Sequence, residues 1–286
     1  MNLVQRPTSP GSKILAAILT FTVAGLLETP NRLLAESVAA HHREGASRGF
    51  FVLSSLEGKT LAAGDTIQAV HDNQVTSELV LHFRDGSVHD ETTVFSQDHA
   101  FRLISDHLIE KGPSFPKPID IFIDAIHNQV TVHANENGKE KDSTEHMDLP
   151  EDLANGLILT LLRNISPSVP ETKVSLLATS AKPQLVKIAI TAKGERTFSI
   201  AGSLRKATDF DVKVEIGGVK GAMAPLVGKQ PPDTHIWMSA GTIPTFVRSE
   251  GPFFEGGPIW RTDVASIRVS SHDLDPGTIP PRSPTQ

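Results

Sequence analysis

The sequence predicts a mainly β, antiparallel fold with one buried apolar helix. Three observations point that way. Short runs of alternating or β-branched residues recur along the chain, broken by Gly, Pro, Asn and Asp. Between about 150 and 165 this alternation gives way to helical spacing of leucine and isoleucine. The chain has no cysteine, so its core must hold it without disulfides; zinc–thiolate sites, thiol catalysis and lipid attachment through cysteine are excluded too.

The N-terminus is set apart. Arg6 and Lys13 precede Ile14–Leu27 (ILAAILTFTVAGLL), an uncharged apolar run. A bilayer-spanning helix needs about 20 such residues, so this run is short for a span. A basic start followed by a short apolar stretch predicts a secretory signal over 1–35, with Ala35, Ala39 or Ala40 at or beside the cut. An uncleaved anchor is the alternative. The expected location is exported, periplasmic or extracellular, with no integral span after cleavage. Removing Arg6, Lys13, Arg32 and Glu28 takes the charge from 27 − 33 = −6 to 24 − 32 = −8. That balance argues against nucleic acid and against anionic lipid surfaces as partners, since both call for clustered positive charge.

Residues 36–48, including the polar HHREGASR, read as a flexible lead-in. A single β-rich domain is expected over 49–272, with two lobes joined at 150–170 as the alternative. The Pro-rich polar tail, 273–286, has the composition of a disordered segment. Within the domain, Val75, Ser77, Leu79, Leu81 and Phe83 share one parity and end at Asp85-Gly86, a hairpin signal, with Val88–Phe95 as the return strand. Phe101–Ile109, Ile119–Ile126 and Val130–His133 read as further strands, followed by a polar loop at Asn135–Glu145.

The helix is expected from about Pro150 to Ile165. Asp148 is its N-cap candidate, Glu151 completes a capping box and Pro150 falls in the tolerant first turn. Leu153, Leu157, Ile158, Leu161, Leu162 and Ile165 form a stripe wide enough to be buried on most sides. Beyond it, Lys173–Thr179, Gln184–Ala192, Arg196–Ile200, Phe210–Ile216, His235–Ser239, Thr245–Glu250 and Ile259–Val269 read as strands, with a turn at Ala192–Glu195. Gly217–Gly228 lacks a phosphate-loop pattern and reads as a bent strand or buried loop. Two connections, KGPSFPKPI at 111–119 and EGPFFEGGPI at 250–259, share Gly-Pro, Phe and Pro-Ile.

Few motifs carry chemistry. His82 and His89 could face each other across the Asp85-Gly86 turn, with Asp90 and Glu91 nearby, yet no histidine falls in a metal-binding spacing. There is no G-x-S-x-G elbow. Asp120 and Asp124 alternate with Ile121 and Ile123 as on the wet face of a strand. No catalytic residue, metal ligand or cofactor is assigned. The candidate ligand-binding residues are His235, Trp237, Phe246, Arg248, Phe253 and Trp260. They lie in a stretch that holds both tryptophans of the chain among turn residues. Parity puts Trp237 beside His235, and Phe246 beside Arg248, a mixed aromatic and polar face that suits the rim of a pocket. Packing of Trp237 at a strand end is the alternative.

That stretch, GKQPPDTHIWMSAGTIPTFVRSEGPFFEGGPIWR, together with FRLISDHLIEKGPSFPKPIDIFID, resembles uncharacterised exported bacterial proteins of the domain-of-unknown-function type. Their fold is similar to the half-barrel of periplasmic lipoprotein carriers, and the resemblance spans roughly Lys59 to Val269. It implies a strongly curved antiparallel sheet with the 150–165 helix against its concave face, and it brings no catalytic residue. The expected function is a non-enzymatic envelope protein holding an apolar ligand or a partner segment of another envelope protein. A cell-surface hydrolase-like enzyme using His235, Trp237 and Arg248, or a purely structural envelope protein, are the alternatives.

Overall fold

Alternating side chains and well-placed turns give fourteen strands among the described residues. The computed structural model describes residues 1, 37–136, 139–178, 182–200, 203–215 and 231–265. The expected signal, the Gly217–Gly228 segment and the C-terminal tail lie outside the described residues. In chain order the strands are β1 (Ser47–Ser55), β2 (Thr60–His71), β3 (Gln74–Phe83), β4 (Val88–Gln97), β5 (Phe101–Lys111), β6 (Ile119–Asp124), β7 (Gln129–Glu136) and β8 (Lys139–His146). After a short helix, α1 (Ile158–Leu162), come β9 (Thr172–Ala178), β10 (Gln184–Ile200), β11 (Ser203–Glu215), β12 (Thr234–Ser239), β13 (Thr245–Pro252) and β14 (Ile259–Val264).

All fourteen join in one antiparallel sheet, ordered β8-β7-β6-β5-β4-β3-β2-β1-β14-β13-β12-β11-β10-β9. Each hairpin pairs with its successor, and β1 pairs with β14 to join the two halves, Leu53 opposite Thr262. The sheet is therefore continuous across both halves. It is not strongly curled into a half-barrel: β8 and β9 remain its two edges. One face, called inner below, carries both apolar clusters.

The larger cluster gathers Phe95, Ile121, Ile123, Val174, Ile188, Ile190, Phe210, Ile236 and Met238 around Leu153, Leu157, Leu161 and Leu162. The smaller one holds Phe51, Leu53, Leu81, Phe83, Phe115 and Trp260.

The helix differs most from expectation. The leucine stripe is buried as its spacing predicts, with Leu157 and Leu162 almost fully enclosed. The helix itself is only Ile158–Leu162, without a side-chain cap. Residues 152–155 instead lie along the edge of β9. Ser175 N–H donates to Asp152 O (3.1 Å), and Ala154 N–H donates to Ser175 O (2.8 Å). The Asn155 side chain continues the ladder: its Oδ1 accepts from Leu177 N–H (2.8 Å) and its Nδ2 donates to Leu177 O (2.9 Å). Backbone groups spent on a strand edge are not available to a helix. Gly156 then turns the chain with φ of 65°, and a Cβ there would fall 1.9 Å from Thr93 Oγ1 on β4. Asp148 and Glu151 cap nothing; Glu151 pairs with Arg102.

Other differences are local. The polar stretch 135–145 contributes to β7 and to the edge strand β8. The expected turn at 192–195 is a bulge in one long strand, β10, with Gly194 at φ 139°. The lead-in is tied down: Ala40 N–H donates to His99 O at 3.0 Å, and Glu44 N–H donates to Gln97 Oε1 at 2.6 Å. His82 and His89 face opposite sides, since His89 is buried opposite Glu110 while His82 is exposed beside Val88. Among the described residues no helix is long and apolar enough to cross a membrane.

Candidate functional site

On the inner face the strands do not fill all the space they enclose. A cavity of about 640 Å3 opens between them. Its walls include Leu79, Leu81 and Leu108 from one half of the sheet, and Leu176, Ile188, Val212 and Ile236 from the other. The chain at Ala154–Leu159 closes one side, and Phe246, Phe253 and Phe254 another. Leu108 on β5 and Ile188 on β10 stand nine places apart in the strand order, and both line this one space. Leu159, Lys182, Pro232 and Glu255 line the cavity and are exposed, which marks its mouth.

Two titratable side chains enter this apolar wall, His89 and Glu91 of β4. They alternate with outward residues and share a parity with buried Thr93 and Phe95. On β5 a bulge at Ile104 resets the alternation, so that Asp106, Leu108 and Glu110 face inward beside them. His89 Nδ1 lies 2.9 Å from Glu110 Oε1, and Thr93 Oγ1 donates to Asp106 Oδ1 at 2.8 Å. Asp106 is 1% exposed, and its Oδ2 is buried without a hydrogen-bond partner among the described residues. Burial, which disfavours the ionised form, pushes the Asp106 carboxyl up to about 6 against the Thr93 hydrogen bond and the nearby histidines. Burial, then the like charges of Asp106 and Glu110, holds Glu91 well above the usual carboxylate range. Apart from His89 and Glu91, noted around the Asp85-Gly86 turn, sequence reasoning missed this group. The signal was present: polar residues at 89, 91 and 93 share their parity with Phe95.

The six residues expected to bind together divide between the two faces. Phe246 and Phe253 line the cavity. Trp260 lies deeper, its ring 5.4 Å from Phe83 and 5.4 Å from Phe253, in an aromatic floor completed by Phe115 and Phe254. That floor joins the two Gly-Pro connections, because Phe115 and Phe254 meet edge to face at 5.7 Å.

His235, Trp237 and Arg248 point the other way. Trp237 pairs with Arg248 and Met238 with Phe246, so Val247 is an extra residue and parity across it breaks. Phe246 therefore faces inward and Arg248 outward, and the shared face expected for them does not exist. On the outer face Trp237 is only 2% exposed. The far half of the β10–β11 hairpin covers it, with Phe198 at 5.9 Å and the Arg196 guanidinium at 5.3 Å. The His235 ring stacks on it at 5.8 Å and its Nδ1 lies 3.1 Å from Asp209 Oδ1. Arg248 Nε donates to Asp263 Oδ1 at 2.7 Å. Among the described residues the buried Trp237 Nε1–H has no acceptor.

Among the described residues no group of three or more His, Asp or Glu is placed to hold a metal ion. No protein-family model matches the chain, and no curated protein matches it. The family resemblance drawn from the sequence thus has no match behind it, and no residue role is taken from it.

Proposed function

We propose that the protein is a non-enzymatic binding protein that holds one apolar chain in the inner cavity. The observation that carries this is the cavity itself. Its volume of about 640 Å3 falls within the roughly 300–1,000 Å3 of small-ligand sites. Its lining is mostly aliphatic and aromatic, with few polar groups, as such sites are. A mouth bordered by Leu159 gives a ligand a way in. The Ile14–Leu27 run supports a place of action outside the cytoplasm, where a soluble holder of apolar molecules has a use. Envelope partners fit the same reading, as donors or acceptors of the ligand.

The test is native mass spectrometry of the protein purified from its own host, together with titration of an apolar fluorescent dye. Retained mass from a lipid-like molecule, and dye binding that such a molecule displaces, are the expected results. A protein that arrives empty and binds no apolar dye counts against the proposal.

A further inference from the structure

The geometry points to a ligand of one chemical class: a cationic amphiphile, with its apolar chain along the aliphatic wall and its ammonium group against Glu91. This inference rests on the cavity being a ligand site, as proposed above.

Charge complementarity carries it. Glu91 is the carboxyl on the cavity's inner wall, Glu255 lying at the mouth, and the charged groups acting on Glu91 are Asp106 and Glu110, both of its own sign. On its own strand the neighbour is His89, which is engaged with Glu110. From β5 it faces Asp106, Leu108 and Glu110, from β3 Leu79 and Leu81, and from the chain above it Asn155 and Gly156. Lys182 and Glu255 stand at the mouth, one of each sign. Asp106 keeps one oxygen buried and unpartnered beside this group. Two buried carboxyls, Asp106 and Glu110, and the half-buried Glu91 outnumber the two histidines beside them, His89 and His107, which leaves a deficit of positive charge. An ammonium group supplies that charge and three hydrogen-bond donors. A carboxylate ligand adds a fourth like charge at low dielectric, which is the least favourable combination. A neutral alcohol gains the apolar wall alone. Because burial and like charge favour the protonated form of Glu91 in the empty cavity, an arriving ammonium displaces a proton.

The test uses the full mature chain and three probes of equal chain length: dodecylamine, dodecanol and dodecanoate. Each displaces a neutral apolar dye near neutral pH, below its micelle concentration. Dodecylamine is expected to act at a concentration about tenfold lower than dodecanoate, with dodecanol between them. Glu91→Gln is expected to remove the amine's advantage over the alcohol. Calorimetry of the unmutated protein in two buffers of different ionisation heat gives a second readout that needs no variant. Proton release is expected with the amine and absent with the alcohol. Dodecanoate matching dodecylamine, an amine advantage that survives Glu91→Gln, or equal proton counts for amine and alcohol overturns the inference. If dodecanol binds and the amine gains nothing, the inference alone falls. If neither dye nor any chain binds, the ligand-site proposal falls with it.

Discussion

The two faces of β12 and β13 carry similar residues and use them differently. Outward, Trp237 lies under Phe198 and Arg196, His235 is engaged with Asp209 and Arg248 with Asp263. Inward, Ile236, Phe246 and Phe253 border open space. The carboxyl groups differ in the same way: Asp209 and Asp263 outside are ion-paired with cationic or histidine side chains, while among the described residues Glu91 and Asp106 inside form no such close pair. The lesson is that an aromatic residue among polar ones does not identify a pocket. What decides is whether the chain itself fills the space above that face.

The largest effect expected from breaking this contrast is at Trp237. Trp237→Ala should cost about 3–5 kcal/mol of stability, as for other buried large aromatics, and leave dye affinity unchanged. Urea midpoints and dye titration on the same variant check both parts. Dye binding lost without a stability change would reverse the assignment of faces.

Next comes the unpaired acid of the inner face. Asp106 is raised from its ordinary 3.8 to about 6 in the folded protein. Between those values the folded state binds more protons than the unfolded one. Stability from this group is thus fully present below the unfolded value and is lost as pH rises through about 6. The shift amounts to roughly 3 kcal/mol. Urea unfolding between acid and neutral pH should show this decline in the unmutated protein and a flatter profile in Asp106→Asn. Parallel profiles would mean that Asp106 is solvated in the folded state.

Phe253 tests the inner wall more gently, because it is only partly buried. Phe253→Ala should cost about 1–2 kcal/mol of stability and weaken dye binding about tenfold. A dye that binds equally well to this variant sits elsewhere. The smallest effect is expected at Arg248, whose pair with Asp263 is partly solvated: Arg248→Ala should cost about 1 kcal/mol or less and leave the dye untouched. A loss of dye affinity there would join the two faces into one site after all.

Much of the sheet is legible in the sequence because alternation and turn chemistry are local. The Asp85-Gly86 hairpin, the strands around Ile121–Ile123 and the buried leucines of 153–162 follow from spacing alone. What is not legible depends on distant partners. Helical spacing over 150–165 gives the correct buried leucines, but whether residues 152–155 form a helix depends on the free edge of β9, more than twenty residues away in sequence. Parity separates faces only while each strand is regular. The extra residue at Val247 reverses it, and a single side chain's preference does not reveal such a bulge. The 135–145 stretch misleads because an edge strand can be as polar as a loop.

Asn155 has a consequence for how the molecule stops. A sheet with two edges is a template for further strands from other copies of the chain. At one end β8, with the sequence KEKDSTEH, repels such additions by charge and solvation. At the other end β9 is apolar, with Val174 and Leu177 buried. There the chain supplies its own imitation of a next strand, finished by one side-chain amide that occupies both polar groups of Leu177. The amide caps that edge, as a chain-stopper caps a growing fibre. Removing it uncovers a rung of an apolar ladder, and the fault would appear first as concentration-dependent self-association of otherwise folded protein.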